Sequence, residues 1–178
     1  MNEEFVKELI NKGETSRIQF KLNVFNEQSI AQEMVAMANT RGGTILIGID
    51  DKTWQIIGLT DDDIRRLTNL LVNASSEHIK PPLFIETDTV VVNARKVIAV
   101  LVPEGNDKPY QDKDGIIFLK NGANKRKVTN NEEILRLLSK GKNLFADELP
   151  VNQADIEEIN KQRFDDFFLR EFKVEYNN

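Results

Sequence analysis

The sequence has no cysteine and only one histidine among its 178 residues. Disulfide bonds and metal sites built from thiolates are therefore excluded, and no arrangement around His78 supports a Ser/His/Asp triad. No apolar run approaches the roughly 20 residues that cross a bilayer. The acidic N-terminus also lacks the basic start and apolar centre of a signal peptide. We therefore expect a cytoplasmic protein without a membrane partner.

Positive charge is also in short supply, because the formal net charge is −5. Taken alone, this charge argues against binding to nucleic-acid phosphates. Residues 147–178, however, contain nine acids and four bases, which leaves residues 1–146 neutral. Within this neutral part, four bases cluster at Lys120, Lys125, Arg126 and Lys127. A local basic patch on a neutral body is compatible with phosphate binding.

Hydrophobic periodicity and turn signals predict alternating helices and strands. The predicted helices cover residues 2–12, 27–40, a segment capped by Thr60 and Asp63, a segment from Thr129 to Gly141, and 152–172. The predicted strands cover residues 17–22, 44–49, 54–57, 83–93, 96–102, and a hairpin of 115–120 with 123–128 that turns at Asn121-Gly122. This order predicts an α+β domain over residues 1–141, with one mixed sheet of about five to six strands packed by helices. Residues 142–178 are predicted to form a linker and an acidic C-terminal helix.

Three stretches together resemble a known family of domains. They are Gly13–Lys21, the run Met34–Gly43 followed by Ile45–Asp51, and Lys108–Tyr110 followed by Gly115–Asn124. In this order and spacing, over roughly residues 5–140, they resemble the Schlafen AlbA-type DNA-binding domain. The resemblance implies an Alba-like α+β fold and a nucleic-acid-binding module of a transcriptional regulator, with DNA favoured over RNA.

Two segments are candidates for contact with phosphates. Gly42-Gly43 can bring backbone N–H groups close to an anion, although the residues alone favour a helix C-cap before a buried strand. The basic hairpin could be a solvated face, but four bases without an acid in eight residues, together with the resemblance, favour phosphate contact. The nucleic-acid-binding candidates are Lys21, Arg41, Gly42, Gly43, Lys120, Lys125, Arg126 and Lys127.

A metal-dependent ribonuclease is the alternative from the enzyme class. Some Schlafen-type domains use three acids, and the resemblance places these at Glu14, at position 19, and at Asp50 or Asp51. Position 19 is Gln here, which lowers the formal charge of such a site from −3 to −2 and weakens its hold on a divalent ion. We therefore expect no catalysis and no cofactor, with Mg²⁺ or Mn²⁺ needed only under this alternative. His78 and Trp54 are expected to be structural.

The acidic C-terminal helix supports a third alternative, a protein-interaction module. Residues 152–172 carry an apolar stripe that a lone solvated helix could not leave exposed. The stripe could pack on its own domain, on a second copy or on a further domain, since the stretch from Asp147 resembles the start of a continuation in longer regulators. A homodimer formed through residues 152–172 is favoured.

Overall fold

The computed structural model describes residues 1–141 and 161–172. The chain divides into two compact units, Met1–Leu144 and Phe145–Asn178. The predicted linker and the first part of the predicted acidic helix lie outside the described residues, so the boundary after Gly141 stays a prediction. No helix in the described ranges has the length and apolar character that a membrane crossing requires.

In the first unit, helices and strands alternate as far as Lys80, and five further strands then follow before a last helix; one helix is described in the second unit. The elements are α1 (Glu3–Lys12), β1 (Ile18–Lys21), α2 (Glu27–Thr40), β2 (Gly43–Ile47), α3 (Asp61–Glu77), β3 (Ile79–Lys80), β4 (Glu86–Val92), β5 (Arg95–Val102), β6 (Gln111–Asp112), β7 (Phe118–Asn121), β8 (Asn124–Lys127), α4 (Asn131–Lys140) and α5 (Lys161–Phe172). The α+β class is confirmed. The capping box of Thr60 and Asp63 at the start of α3 is also confirmed.

The main sheet has four strands in the order β1-β2-β5-β4, with β1 and β2 parallel and the other pairs antiparallel. The prediction of one sheet of five to six strands was therefore wrong in its count. Instead of joining this sheet, β7 and β8 pair with each other, and β3 pairs with β6. The predicted strand at 54–57 contributes only an isolated bridge between Ile49 and Ile56.

Both faces of the main sheet are covered, and β2 shows how the sequence achieves this. Ile45 and Ile47 belong to the core formed with α2 and α3, whereas Leu46 belongs to the core formed with α1. Because successive strand residues point to opposite faces, a strand buried on both sides needs an unbroken apolar run. The prediction of a buried strand here is confirmed.

The β7–β8 hairpin is held between α2 and α4. Asn39 near the end of α2 donates from Nδ2 to the carbonyl oxygens of Tyr110 and Phe118, at 2.8 and 3.1 Å. On the other side, Ile117 and Val128 pack against Leu137 of α4.

Two local details of this region differ from the sequence prediction. Asn121 pairs with Asn124, so the two-residue loop is Gly122-Ala123, one position later than predicted. The residue that caps α4 is Asn130, whose side chain accepts from the Glu132 N–H, and not Thr129.

Candidate nucleic-acid interface

The Gly42-Gly43 pair lies where α2 ends and β2 begins. The N–H of Gly42 donates to Met37 O at 2.8 Å, so it caps the helix and is already engaged. Gly42 has a φ of +65°, and a Cβ there would lie 2.6 Å from the Glu104 backbone nitrogen. A Cβ on Gly43 would lie 2.5 Å from Arg17 O. Both glycines are therefore explained by close backbone packing, which favours the helix-cap interpretation of this turn.

This close packing brings Arg17 and Arg41 to one groove, of about 800 Å³, together with Lys12. A second groove of about 330 Å³ also includes Arg41 and adds Arg136 and Lys140 from α4. We call the five cations of these adjoining grooves the Arg41 surface. Only Arg41 of the five was predicted from the sequence. The four cations that were not predicted come from three separate elements or loops. Arg136 and Lys140 are four positions apart on α4, and this spacing is the one sequence signal that links two of them.

The acids that line the two grooves are bound to other cations. Glu104 accepts from Lys108 Nζ at 2.6 Å, and this contact lowers the pKa of Glu104. Glu133 binds Arg126 through both carboxylate oxygens, which lowers the pKa of Glu133. In the part of the chain that the structure describes, the exposed guanidinium groups of Arg17 and Arg41 have no hydrogen bond or ion pair. Of the five cations of the Arg41 surface, Lys12 pairs with Glu8 at 2.6 Å and Arg136 with Glu132 at 4.0 Å, whereas Arg17, Arg41 and Lys140 have no ion pair within the described residues.

Lys120 is not on the surface, which corrects the prediction of four exposed hairpin cations. Its side chain is 0% exposed. Its Nζ donates to Gln19 Oε1 at 2.8 Å, to Glu33 Oε2 at 3.3 Å and to Ala123 O. Burial lowers the pKa of Lys120, while the charge of Glu33 opposes that shift. An ammonium group whose three N–H donors already bind acceptors inside the protein has none left to donate to a phosphate.

The other three hairpin cations differ in how free they are. Lys125 Nζ lies 3.0 Å from Glu33 Oε1 and is 24% exposed. Arg126 is held by Glu133 as described above. Lys127 is exposed and makes no hydrogen bond or ion pair among residues 1–141 and 161–172. Lys21, at the far end of β1 from Arg17, is half-buried and is likewise unpaired within those ranges.

Two of the three candidate acids of the nuclease alternative, Glu14 and Asp50, are engaged in local structure. Glu14 Oε1 accepts from the Phe20 N–H at 2.8 Å and from Gln19 Nε2. Asp50 Oδ1 accepts from the backbone N–H groups of Lys52 and Thr53, which form a turn and lower the pKa of Asp50. Asp51 is exposed beside that turn.

Glu14, Asp50 and Asp51 are not brought together in a group that could hold a divalent ion. Among the described residues, no group of three or more His, Cys, Asp or Glu side chains is placed to hold a metal. The buried cation next to Gln19 is instead the ammonium of Lys120.

His78 and Trp54 have structural roles. His78 contacts Glu27 through Nε2 at 3.1 Å and Gln28 through Nδ1 at 3.2 Å. Trp54 stacks edge-on against Phe20 with ring centroids 6.1 Å apart, and its ring fills the space beside Gly13. Both placements agree with the sequence interpretation.

Comparison with known proteins gives one family match and two partial matches among solved structures. Residues 14–129 match the family described as Schlafen, AlbA_2. The DIP2311 protein from Corynebacterium diphtheriae is 23% identical with a TM-score of 0.49, over 69% of this chain and 25% of that protein. The N-terminal domain of a RecG-related protein from Nitrosomonas europaea is 22% identical with a TM-score of 0.48, over 72% of this chain and 94% of that domain. This chain thus spans about a quarter of the length of the Corynebacterium protein. No curated protein matches it.

Proposed function

The chain belongs to the Schlafen, AlbA_2 family, and on this premise we propose that residues 1–141 form a nucleic-acid-binding module whose Arg41 surface holds the phosphate backbone. The proposal rests mainly on Arg17 and Arg41. Their guanidinium groups are exposed on adjoining grooves and lack ion pairs in the described part of the chain. A guanidinium without an internal partner is well suited to bidentate phosphate contact.

The wider surface supports the same proposal. Lys140 and Arg136 extend the grooves along α4. Arg126 is bound to Glu133, which lines the second groove, so part of the basic hairpin lies next to the Arg41 surface. Contacts to phosphates position a protein on nucleic acid without reading its sequence. The module therefore binds without strong base-sequence preference through this surface.

Three finer points remain predictions. Binding to DNA in preference to RNA and a role in transcriptional regulation come from the family resemblance. Metal-dependent nuclease activity stays the less favoured alternative, because Gln19 replaces one of the three acids and because Glu14 and Asp50 already accept local hydrogen bonds. The interaction-module alternative concerns residues 152–172, of which 152–160 lie outside the described residues.

The site is tested by measuring the affinity of the full chain for labelled single- and double-stranded DNA and RNA by fluorescence anisotropy. The double variant Arg17→Ala/Arg41→Ala should bind at least about tenfold more weakly, because two charge-assisted contacts of about 1.5–3 kcal/mol each are lost and neighbouring cations offset only part of that loss. The matched control is Lys52→Ala/Arg65→Ala, which removes the same charge from the exposed Lys52 turn and from α3.

The possible outcomes distinguish binding by the Arg41 surface from binding that depends only on total charge. The control variant should keep at least most of the affinity of the unmodified protein. An equal loss in both double variants would show that total charge, and not the Arg41 surface, determines binding. Failure of the unmodified protein to bind any of the four nucleic acids would overturn the proposed function itself.

A further inference from the structure

We propose that Phe25 and the pocket beside it form a stacking site for one unpaired nucleobase, so that the module prefers single-stranded or locally opened nucleic acid to intact duplex. This inference rests on the proposed nucleic-acid-binding function and adds the class of ligand. The site lies in the loop of residues 22–26, which follows Lys21 at the end of β1 and precedes α2.

Phe25 is a large aromatic side chain that remains 79% exposed. Single exposed apolar residues are common on protein surfaces and need no explanation by themselves. Phe25 differs because the Arg66 guanidinium lies over its ring, 4.8 Å from the centroid. A cation over an aromatic face holds that ring by its quadrupole. One face of the ring is thus covered, and the high exposure leaves the other face open to solvent.

Arg66 is itself fixed in position. Its Nη1 donates to Val24 O at 2.6 Å, and its Nη2 donates to Asn23 Oδ1. Asp63 lies 3.4 Å away, and hydrogen bonds from Thr60 and Asn23 lower the pKa of Asp63 to about 2, so it stays ionised. The exposed ring is therefore preorganised, which lowers the entropic cost of stacking a ligand on it.

A pocket of about 270 Å³ adjoins Phe25. Its volume lies just below the usual range of about 300–1,000 Å³ for sites of drug-sized ligands, which suits a single base. Lys21, Asn26 and Ser29 line it. Within the described residues, Lys21 Nζ, Asn26 Nδ2 and Ser29 Oγ make no hydrogen bond, so they are available to a base edge or a phosphate.

The charge of the one acidic side chain that lines the pocket is compensated by two lysines. Glu33 lines it, but its carboxylate is paired with Lys120 and Lys125 of the hairpin. Negative charge there would otherwise repel a nucleotide. The network around buried Lys120 thus has a consequence for the surface, because it lets an anionic ligand approach Phe25.

The pocket and the Arg41 surface lie towards opposite ends of β1. Arg17 precedes the strand and Lys21 ends it, which separates their backbones by about 13 Å at 3.3 Å per residue. Single-strand binding folds typically hold about 4–16 nucleotides on a basic track with aromatic stacking positions. A short single strand can therefore reach from the Arg41 surface to Phe25.

The test compares Phe25→Ala with Phe84→Ala, which removes another phenyl ring, 90% exposed, from the surface. Affinities of the full chain are measured for a single-stranded oligonucleotide, for the same strand with abasic positions, and for a duplex. Phe25→Ala should weaken binding to the intact single strand by about fivefold to 100-fold, the range for losing one stacked base. Binding to the abasic strand and to duplex should be unchanged, as should all affinities of Phe84→Ala. Phe25→Trp, which keeps an aromatic ring, should retain the affinity of the unmodified protein for the single strand.

Stacking involves no charge, so Phe25→Ala should leave the salt dependence of binding unchanged. The inference is overturned if the unmodified protein binds and Phe25→Ala binds the single strand equally well; the proposed function then stands. It is also overturned if the variant loses affinity equally for abasic strand and duplex. If the unmodified protein binds no nucleic acid, the proposed function fails first.

Discussion

Whether an individual side chain in this protein is available to a ligand depends more on the residues it contacts than on its type. Lys120 and Lys127 lie seven positions apart on one basic hairpin, and the sequence treats them alike. In the structure, Lys120 is buried with three acceptors and Lys127 is exposed. The acceptors come from β1, α2 and the hairpin loop, which are distant in sequence. No local pattern could therefore have distinguished the two lysines.

The matched pair Lys120→Met and Lys127→Met tests this difference. Lys120→Met leaves acceptors on Gln19, Glu33 and Ala123 without their donor inside the protein. It should lower the free energy of unfolding by about 1–3 kcal/mol, the range for leaving buried acceptors unsatisfied, because Lys125 still pairs with Glu33. Lys127→Met should change it by less than about 0.5 kcal/mol. Urea denaturation measures both, and equal stabilities would contradict the buried placement of Lys120.

Asp63 makes a pH-dependent contribution to stability. Its pKa is lowered from 3.8 to about 2 by hydrogen bonds from Thr60 and Asn23, with a smaller one from Arg66. Because the folded state binds this proton less tightly than the unfolded state, the contribution is present above pH 3.8 and is lost as the pH falls towards 2. Stability measured from pH 5 to pH 2 should fall less steeply for Asp63→Asn than for the unmodified protein. Parallel curves would show that Asp63 has no such role.

At the scale of elements, local sequence signals predicted most helices and strands, although they misplaced the hairpin loop and the cap of α4 by one residue each. They did not predict how the strands pair. The bounds of α2 and the capping box of α3 follow from periodicity and caps that a short window contains. The two-residue strands β3 and β6 are too short to show alternation, and their pairing depends on residues about 30 positions apart. The hairpin was recognised, but its failure to join the main sheet depends on α2 and α4.

The two turn glycines predict different costs for one added methyl group. In Gly42→Ala, the Cβ would meet backbone atoms of Val102 and Glu104 at 2.7 and 2.6 Å, which flexible side chains cannot relieve. In Gly122→Ala, nothing lies within 4 Å, and the positive φ alone costs about 1–2 kcal/mol. Thermal unfolding should therefore show a clearly larger loss for Gly42→Ala. A smaller or equal loss would contradict the close approach of β5 to the end of α2.

The basic hairpin should contribute less to binding than its four charges suggest. Lys125 and Arg126 already have carboxylate partners, so they neutralise few phosphates and release few of the counterions condensed on the nucleic acid. Replacing Lys125, Arg126 and Lys127 together by Ala should flatten the salt dependence by about one unit, the contribution of one cation. The sequence alone would allow about three units. Salt titrations of this variant decide between the two, and a change near three would restore the hairpin as the main site.

For the whole molecule, total charge does not indicate where exposed cations lie, whereas the distribution of charge along the chain indicates it in part. The net charge of −5 conceals a neutral first part with several unpaired surface cations. The family could be recognised from three motifs, but the Arg41 surface could not, because it combines α1, α4 and the loops before β1 and β2. The predicted dimer through residues 152–172 stays a prediction, since only 161–172 of that segment are described.

The salt dependence of binding by the unmodified full chain is the most direct test of the account. Arg17, Lys21, Arg41, Lys127 and Lys140 are the cations of the two surfaces and the hairpin that lack an ion pair within residues 1–141. Three to five phosphate contacts by them predict that log K falls with log salt at a slope of about −2 to −3.5 on a single strand, at roughly −0.7 per contact. Arg17→Ala/Arg41→Ala should reduce that slope by about 1.4. A slope near zero, or one that this double variant leaves unchanged, would contradict phosphate binding by the Arg41 surface.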